Sequence, residues 1–306
     1  MQKAVLRPLY SLPLRKNPVI RTFILHTIMT VLVFTLIALL GSVCAGIIGS
    51  LSGLGGGIVV IPLLTILLGV DIHYAIGAAL VSVIATSSGS AAAYIKEGIA
   101  NMRMGMFLEI ATTAGAVAGA LISSAAPASF IAVLFGLALI FSAANSLRQK
   151  EEHLVTQSSS FAQRLKLPST YPGMNGQPIA YGTKNVAGGF GMMGLAGMLS
   201  GMLGIGSGAF KVIAMDTIMK IPFKVSTTTS NFMMGVTALA SCVIYIQKGY
   251  IVPDICLPVM IGVLAGAMIG SRILMRTDPK KLRKFFAFII IFLALNMMYN
   301  GFKGKF

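Results

Sequence analysis

Charged residues are scarce in this chain of 306 residues. They account for 10% of the sequence, whereas soluble domains have about 25%. Hydrophobic residues account for 56%, and the mean hydropathy is +0.87. This composition excludes an ordinary soluble globular protein and predicts an integral membrane protein.

Acidic residues are scarcer than basic ones. Eight Asp and Glu stand against 24 Lys and Arg, which gives a formal net charge of +16. In a soluble protein this excess would indicate a nucleic-acid partner. Here the basic residues stand in loops and tails, where cytoplasmic positive charge orients membrane helices. We therefore predict a lipid bilayer around this chain and no nucleic-acid partner.

Cysteine is almost missing, with Cys44, Cys242 and Cys256 isolated from one another. Their spacing fits no metal site, and the sequence shows no hydrolytic triad or metal-ligand cluster. We therefore predict no metal, no cofactor and no enzymatic activity.

Long apolar runs take the place of charge. Runs of about 20 residues, enough to cross about 30 Å of hydrocarbon, recur from Phe23 to Met298. Lipid offers no partner to backbone groups, so such runs form helices, and they are too long and too evenly apolar for barrel strands. The sequence predicts an all-α polytopic membrane protein.

Four sequence patterns occur twice in the same order, which indicates a duplication. GLGGG at Gly53–Gly57, here called the first knot, returns as GIGSG at Gly204–Gly208, the second knot. The other three pairs are GAALVS with STTTSN, YIKEG with YIQKG, and GAVAGA with GVLAGA.

Each half contains five apolar segments, the second of which has only about 12 residues. Such a segment forms about 18 Å of helix, too short to span a membrane alone, and predicts a broken or re-entrant element. We expect 8 to 10 membrane segments, at roughly 22–52, 57–69, 73–96, 104–125 and 128–146, then at 184–203, 208–219, 223–247, 253–274 and 282–300.

The chain divides at changes of composition. We predict a basic N-terminal tail (1–21), a first transmembrane repeat (22–146), a soluble basic linker loop (147–183), a second repeat (184–300) and a C-terminal tail (301–306).

Three basic loops, near residues 96–103, 148–184 and 272–284, predict the topology. All three face the cytoplasm if every short segment carries the chain across the membrane. Five crossings per half make the second half inverted relative to the first, as in many secondary transporters. The basic tail would then face outward, against the same rule, so the sequence leaves the side of the N-terminus open.

The knots predict a binding site for an anion. Consecutive glycines favour a break in a helix, and a helix that starts there directs free N–H groups and partial positive charge into the break. We expect both knots to face one cavity near the middle of the membrane. The predicted substrate-binding knot residues are Gly53, Gly55, Gly56, Gly57, Gly204, Gly206, Ser207 and Gly208.

Close helix packing is the alternative interpretation of a small-residue pattern. We prefer packing for the glycine pairs elsewhere in the two halves, which are Gly115 with Gly119 and Gly262 with Gly266. Consecutive glycines, a truncated following helix and duplication together favour a functional interpretation for the knots.

Hydroxyl-rich helices follow the knots and supply further candidates for the site. Six consecutive polar residues, 226–231, could replace part of the hydration shell of an anion, whereas a single hydroxyl usually bonds to a carbonyl one turn earlier. The predicted binding residues here are Ser82, Thr86, Thr228, Thr229, Ser230 and Asn231.

Ionisable residues within apolar segments are functional candidates. Lys211 follows Gly208 by three residues and matches Val60 of the first half. It either attracts the anion or extends to the membrane surface. Glu109 and Asp216 either pair with a base or carry a proton, although a position near the membrane surface is favoured. Coupling of transport to protons is therefore open.

Over about residues 36–300, the chain resembles the sulfite exporter TauE/SafE family of prokaryotic membrane proteins. The resemblance lies in the duplicated knots, the helices after them and the helix ends at Gly98 and Gly249. The resemblance implies a secondary transporter, and most simply an exporter, for export or uptake of sulfite, thiosulfate, sulfoacetate or a related small organosulfur anion across the inner membrane; the direction stays open. Ser207, Lys211 and Ile213 depart from the first-half pattern and leave the particular anion open.

A membrane assembly or receptor protein without transport activity is the alternative, with the basic loop holding a partner. Such a protein would not need two glycine knots. The sequence leaves the oligomeric state open.

Overall fold

The computed structural model describes residues 18–52, 56–96, 98–147, 158–172, 177–274 and 279–304. Almost all regular structure in these ranges is helical, which confirms the predicted all-α class. The helices of the first half are α1 (Pro18–Ser52), α2 (Gly57–Pro62), α3 (Ile72–Lys96), α4 (Met102–Ala125) and α5 (Ala128–Leu147).

The second half follows a short central region. This region holds α6 (Ser160–Arg164) and two strands, β1 (Ser169–Pro172) and β2 (Pro178–Tyr181). The later helices are α7 (Val186–Leu203), α8 (Gly208–Ile213), α9 (Phe223–Gln247), α10 (Pro253–Leu274) and α11 (Pro279–Phe302).

Within the described residues, five helices are long and apolar enough to cross a membrane: Thr30–Gly49, Met102–Ala125, Val186–Leu203, Phe223–Gln247 and Pro253–Gly270. Shorter apolar helices cover Gly57–Leu67, Ile72–Ser88, Ala128–Ala144 and Ala287–Phe302. The chain forms two units. The first ends at Ile37 and consists, in its described part, of the start of α1; the second begins at Ala38.

The two halves keep a constant register in the structure. Counterpart helices start 151 residues apart, at Gly57 and Gly208, Ile72 and Phe223, Met102 and Pro253, and Ala128 and Pro279. Even the π-helical turns that continue α2 and α8, Leu63–Leu67 and Ala214–Ile218, keep this spacing. Pro62 precedes the first turn and Ile213 the second, so proline is not the cause of the π-helical geometry.

Glycine carbonyl contacts hold α4 against α7. A Cβ atom on Gly115 would lie 2.1 Å from the carbonyl oxygen of Gly194, and one on Gly119 would lie 2.0 Å from that of Met198. Only glycine permits this approach of two backbones. The counterpart contact joins α10 to α1, where a Cβ atom on Gly266 would lie 2.1 Å from the carbonyl oxygen of Val43. The structure thus confirms the packing interpretation for these glycine pairs.

The contacts also give the helix directions. Residue numbers rise together along α4 and α7, so these helices are parallel. α4 is parallel to α9 too, because Gly105 lies against Thr229 and Glu109 contacts Thr237. α7 and α9 therefore point the same way, and the short segment between them returns the chain toward the end where α7 began.

α3 is antiparallel to α9, its counterpart in the second half. His73, at the start of α3, stacks on Tyr250 just after the end of α9, whereas Ser87, farther along α3, donates to the carbonyl of Asn231 in the first half of α9. The ring Nε2 of His73 also lies 3.2 Å from the carbonyl oxygen of Ser123 near the end of α4.

In residues 158–172 and 177–183, the central region contains regular structure. β1 and β2 form an antiparallel pair, and Tyr171 and Tyr181 bury one face of it. The amide of Asn101 donates to the carbonyl of Leu167 (2.9 Å) and to the hydroxyl of Tyr181 (2.8 Å). These bonds fix the hairpin to the start of α4, and burial raises the pKa of the Tyr181 phenol.

Candidate functional site

The two knots lie in contact. Gly57 begins α2 and is buried, and a Cβ atom on it would lie 2.8 Å from the carbonyl oxygen of Gly204. Gly56 precedes it, and its carbonyl accepts from the N–H groups of Val59 and Val60, both at 3.1 Å. The predicted residues Gly53 and Gly55 lie outside the described part of the chain.

The second knot has an unusual backbone. Gly204 ends α7 with φ +65°, and Gly206 follows with φ +67°. Ser207 also has a positive φ, +45°, which is uncommon for a residue with a side chain. Its hydroxyl oxygen is buried and has no hydrogen-bond partner in the described structure. Gly208 then starts α8, the counterpart of α2.

Most of the predicted hydroxyls bond within their own helix. Ser82 donates to the carbonyl of Ala78 (2.8 Å), Thr86 to that of Ser82 (3.0 Å) and Thr228 to that of Lys224 (3.0 Å). These bonds match the alternative in which a single hydroxyl satisfies a carbonyl one turn earlier.

The remaining polar residues of this group connect different elements. Thr229 accepts from the backbone N–H of Asn101 at 3.0 Å. Ser230 donates to the carbonyl of Gly208 at 3.2 Å and so joins α9 to the second knot. The backbone carbonyl of Asn231 accepts from the hydroxyl of Ser87 at 2.5 Å.

Lys211 is fully buried, with 0% of its surface exposed. Its ammonium donates to Oγ1 of Thr237 at 2.5 Å. The side chain therefore does not extend to the membrane surface, which was one of the two interpretations of the sequence. Burying an ammonium is costly unless it is paired and hydrogen-bonded.

Glu109 supplies the opposite charge from the first half. Its Oε1 accepts from Thr237 at 2.6 Å and from Thr113 at 3.2 Å. The residue is 7% exposed, and its Oε2 atom is buried without a partner among the described residues. Thr237 thus lies between the two charged groups, which do not form a direct ion pair. Glu109 therefore contacts the base Lys211 only through the shared hydroxyl of Thr237.

Thr237 is missing from the predicted site residues. It is the repeat counterpart of Thr86, which was singled out, and this correspondence is the signal that could have identified it. The counterparts of Lys211 and Glu109 are the apolar Val60 and Met260, so the charged pair occurs once in the duplicated fold.

Asp216, the other acidic candidate, lies in the π-helical turn after α8 and is half-buried.

Among the described residues, no group of three His, Cys, Asp or Glu side chains is placed to hold a metal ion. The cysteines are free, with Cys44 exposed and Cys242 and Cys256 buried.

A helical fold with several apolar spans, broken helices that meet at glycine knots and a buried charged pair is that of a multi-pass membrane transporter. The profile of the family described as "Sulfite exporter TauE/SafE" matches residues 37–297. The chain belongs to this family, which is a family of membrane transporters.

Curated relatives agree with this assignment. The chain is 27% identical to YunE of Bacillus subtilis over 88% of its own length and 98% of that protein. It is 29% identical to YdhB of the same organism, over 74% of the chain and 85% of YdhB. A relative from Methanocaldococcus jannaschii is 25% identical over 83% and 91% of the two chains. Each is named a "Probable membrane transporter protein". No solved structure shows a significant match.

Proposed function

We propose that this protein is a secondary transporter that exports small sulfur-containing anions, such as sulfite, thiosulfate or sulfoacetate, across the inner membrane. Membership of the sulfite exporter family supports this substrate class. The observation that carries the proposal is the fully buried ammonium of Lys211, one turn after Gly208 at the end of the second knot.

The substrate site would form around the knots. Backbone N–H groups at the starts of α2 and α8 and the charge of Lys211 favour an anion there, and the hydroxyl of Ser207 is available as a further donor. Gly53, Gly55 and the polar residues of α3 and α9 belong to the same proposed site.

Inverted repeats would let the site open to either side. Two observations support this topology: α3 and α9 run antiparallel, and the short segment between α7 and α9 returns the chain. Rocking of one half against the other around a fixed site would then alternate access.

Anion flux through purified protein in liposomes tests the proposal. We expect labelled thiosulfate to leave loaded liposomes faster than it leaves protein-free liposomes, and unlabelled sulfite to compete with it. A membrane assembly or receptor protein would show no flux above the protein-free control, which would contradict the proposal.

A further inference from the structure

The pair of Lys211 and Glu109, which has no charged counterpart in the other repeat, also has an arrangement suited to exchange a proton. Lys211 comes from α8 and Glu109 from α4, and both contact the hydroxyl of Thr237 on α9. Two opposite charges held this close neutralise each other at long range. As long as Glu109 is ionised, the ammonium therefore exerts little net attraction on an anion.

Thr237 has two acceptors for one proton. Its hydroxyl lies 2.6 Å from Oε1 of Glu109 and 2.8 Å from the carbonyl oxygen of Met233. A hydroxyl donates one hydrogen bond at a time, so it can satisfy either the carboxylate or the carbonyl. If Glu109 carries a proton, its neutral carboxyl group is a weaker hydrogen-bond acceptor than the carboxylate. The hydroxyl of Thr237 can then donate to the carbonyl oxygen of Met233 instead.

The second carboxylate oxygen offers a place for the proton. Oε2 of Glu109 is buried and has no hydrogen-bond partner among the described residues, although the side chain is only 7% exposed. An unpaired carboxylate oxygen away from water is costly, so this atom is the one open to a further hydrogen.

Other titratable groups near this pair are few. α7 has none, and α9 carries Lys224, Cys242 and Tyr245. Lys224 is exposed at the start of α9, while Tyr245 donates to Ser123 at the far end of α4. Asp216 lies on the π-helical turn after α8 and makes its own interactions. None of these groups lies between Lys211 and Glu109.

We propose that Glu109 is the proton-binding site of this protein and that its protonation frees the charge of Lys211 to bind the anion. The anion and the proton then bind together, the proton passing from water to Oε2 of Glu109 with no other bond made or broken. This proposal rests on the proposed function, since it assumes an anion near Lys211. It adds a proton-binding residue to the proposed anion site.

Thermodynamic linkage between anion binding and proton binding allows this proposal to be measured. If anion binding takes up about one proton, affinity falls as pH rises, by up to about tenfold per pH unit. Thiosulfate is a suitable probe because its own charge does not change across the neutral range. Calorimetric titration of purified protein, in buffers with different heats of protonation, gives the number of protons taken up per anion.

We expect wild-type protein to take up about one proton per thiosulfate, and Glu109→Gln to bind thiosulfate with no proton uptake and no pH dependence. Asp254→Asn, which changes an exposed carboxylate at the start of α10, is the matched control and should behave as wild type. Binding by wild-type protein without proton uptake, or equal uptake by Glu109→Gln, overturns the proposal.

Infrared spectroscopy provides a test that needs no substrate. Acidification of substrate-free protein should produce a carboxylic-acid C=O band that is missing from Glu109→Gln. If that variant does not fold, Glu109→Asp should shift the band. A band that is unchanged in either variant overturns the assignment of the proton to Glu109. A wild-type protein that shows the band but binds no thiosulfate would contradict the proposed substrate and not the proton site.

Discussion

Gly57 and Gly204 meet backbone to backbone, one from each half of the duplicated chain. A side chain of a single carbon on Gly57 would come within 2.8 Å of the Gly204 carbonyl oxygen. This distance is shorter than the contacts that Cβ atoms make in proteins, and the contacted atom belongs to the backbone, so it cannot move aside by rotation of a side chain. The broken helices of both halves therefore depend on glycine at the point where they meet.

We expect Gly57→Ala to abolish most anion flux, because the second knot must shift to admit the methyl group. Gly191→Ala is the matched control, since a Cβ there has nothing within 4 Å. Flux from liposomes with equal amounts of folded protein is the measurement. Unimpaired flux in Gly57→Ala would contradict a transport site at the knots.

The packing of α4 against α7 leads to a prediction about stability. A Cβ atom on Gly197 would lie 2.1 Å from the carbonyl oxygen of Thr112. We expect Gly197→Ala to destabilise the protein by about 1–3 kcal/mol through overpacking. Gly191→Ala, in the same helix, should be neutral or stabilise by up to about 1 kcal/mol because alanine favours helix. Thermal unfolding in detergent compares the two, and equal stability would argue against tight packing here.

The charge of Lys211 is expected to determine anion affinity. Lys211→Met keeps most of the apolar side chain and should weaken thiosulfate binding at least tenfold, or about 1.4 kcal/mol. Lys211→Arg should recover only part of the loss, because a planar guanidinium does not fit the position of a compact ammonium. Lys248→Met, at an exposed position after α9, is the control. Unchanged affinity in folded Lys211→Met would exclude Lys211 from the site.

The proposed topology predicts which residues label from the same side of the membrane. On a background without the native cysteines, Thr170→Cys in the central hairpin and Thr277→Cys in the basic loop after α10 should both react from the cytoplasm. Ala125→Cys should react from the opposite side, because α4 extends about 36 Å from the hairpin contact at its start. Labelling of Thr170→Cys and Thr277→Cys from opposite sides would contradict the topology.

Composition and the length of the apolar runs were sufficient to predict the helical architecture. Apolar runs in lipid have to form helices. The run after each knot is too short to span a membrane, so its length alone predicts a broken or re-entrant helix there. The observed bounds, such as Ile72–Lys96 for the predicted 73–96, differ by few residues. The central hairpin was not predicted, because its strands have only four residues each and are stabilised by burial of Tyr171 and Tyr181 against the helices.

A duplicated set of apolar helices with a glycine knot in each half can be predicted without coordinates, since these features depend on local composition and residue order. Which polar groups meet depends on how the helices pack in three dimensions. Lys211, Thr237 and Glu109 are separated by 26 and 128 residues along the chain, yet they form one hydrogen-bonded group. The packing of α4 and α8 against α9 brings them together, and no local pattern encodes a contact between helices so distant in sequence.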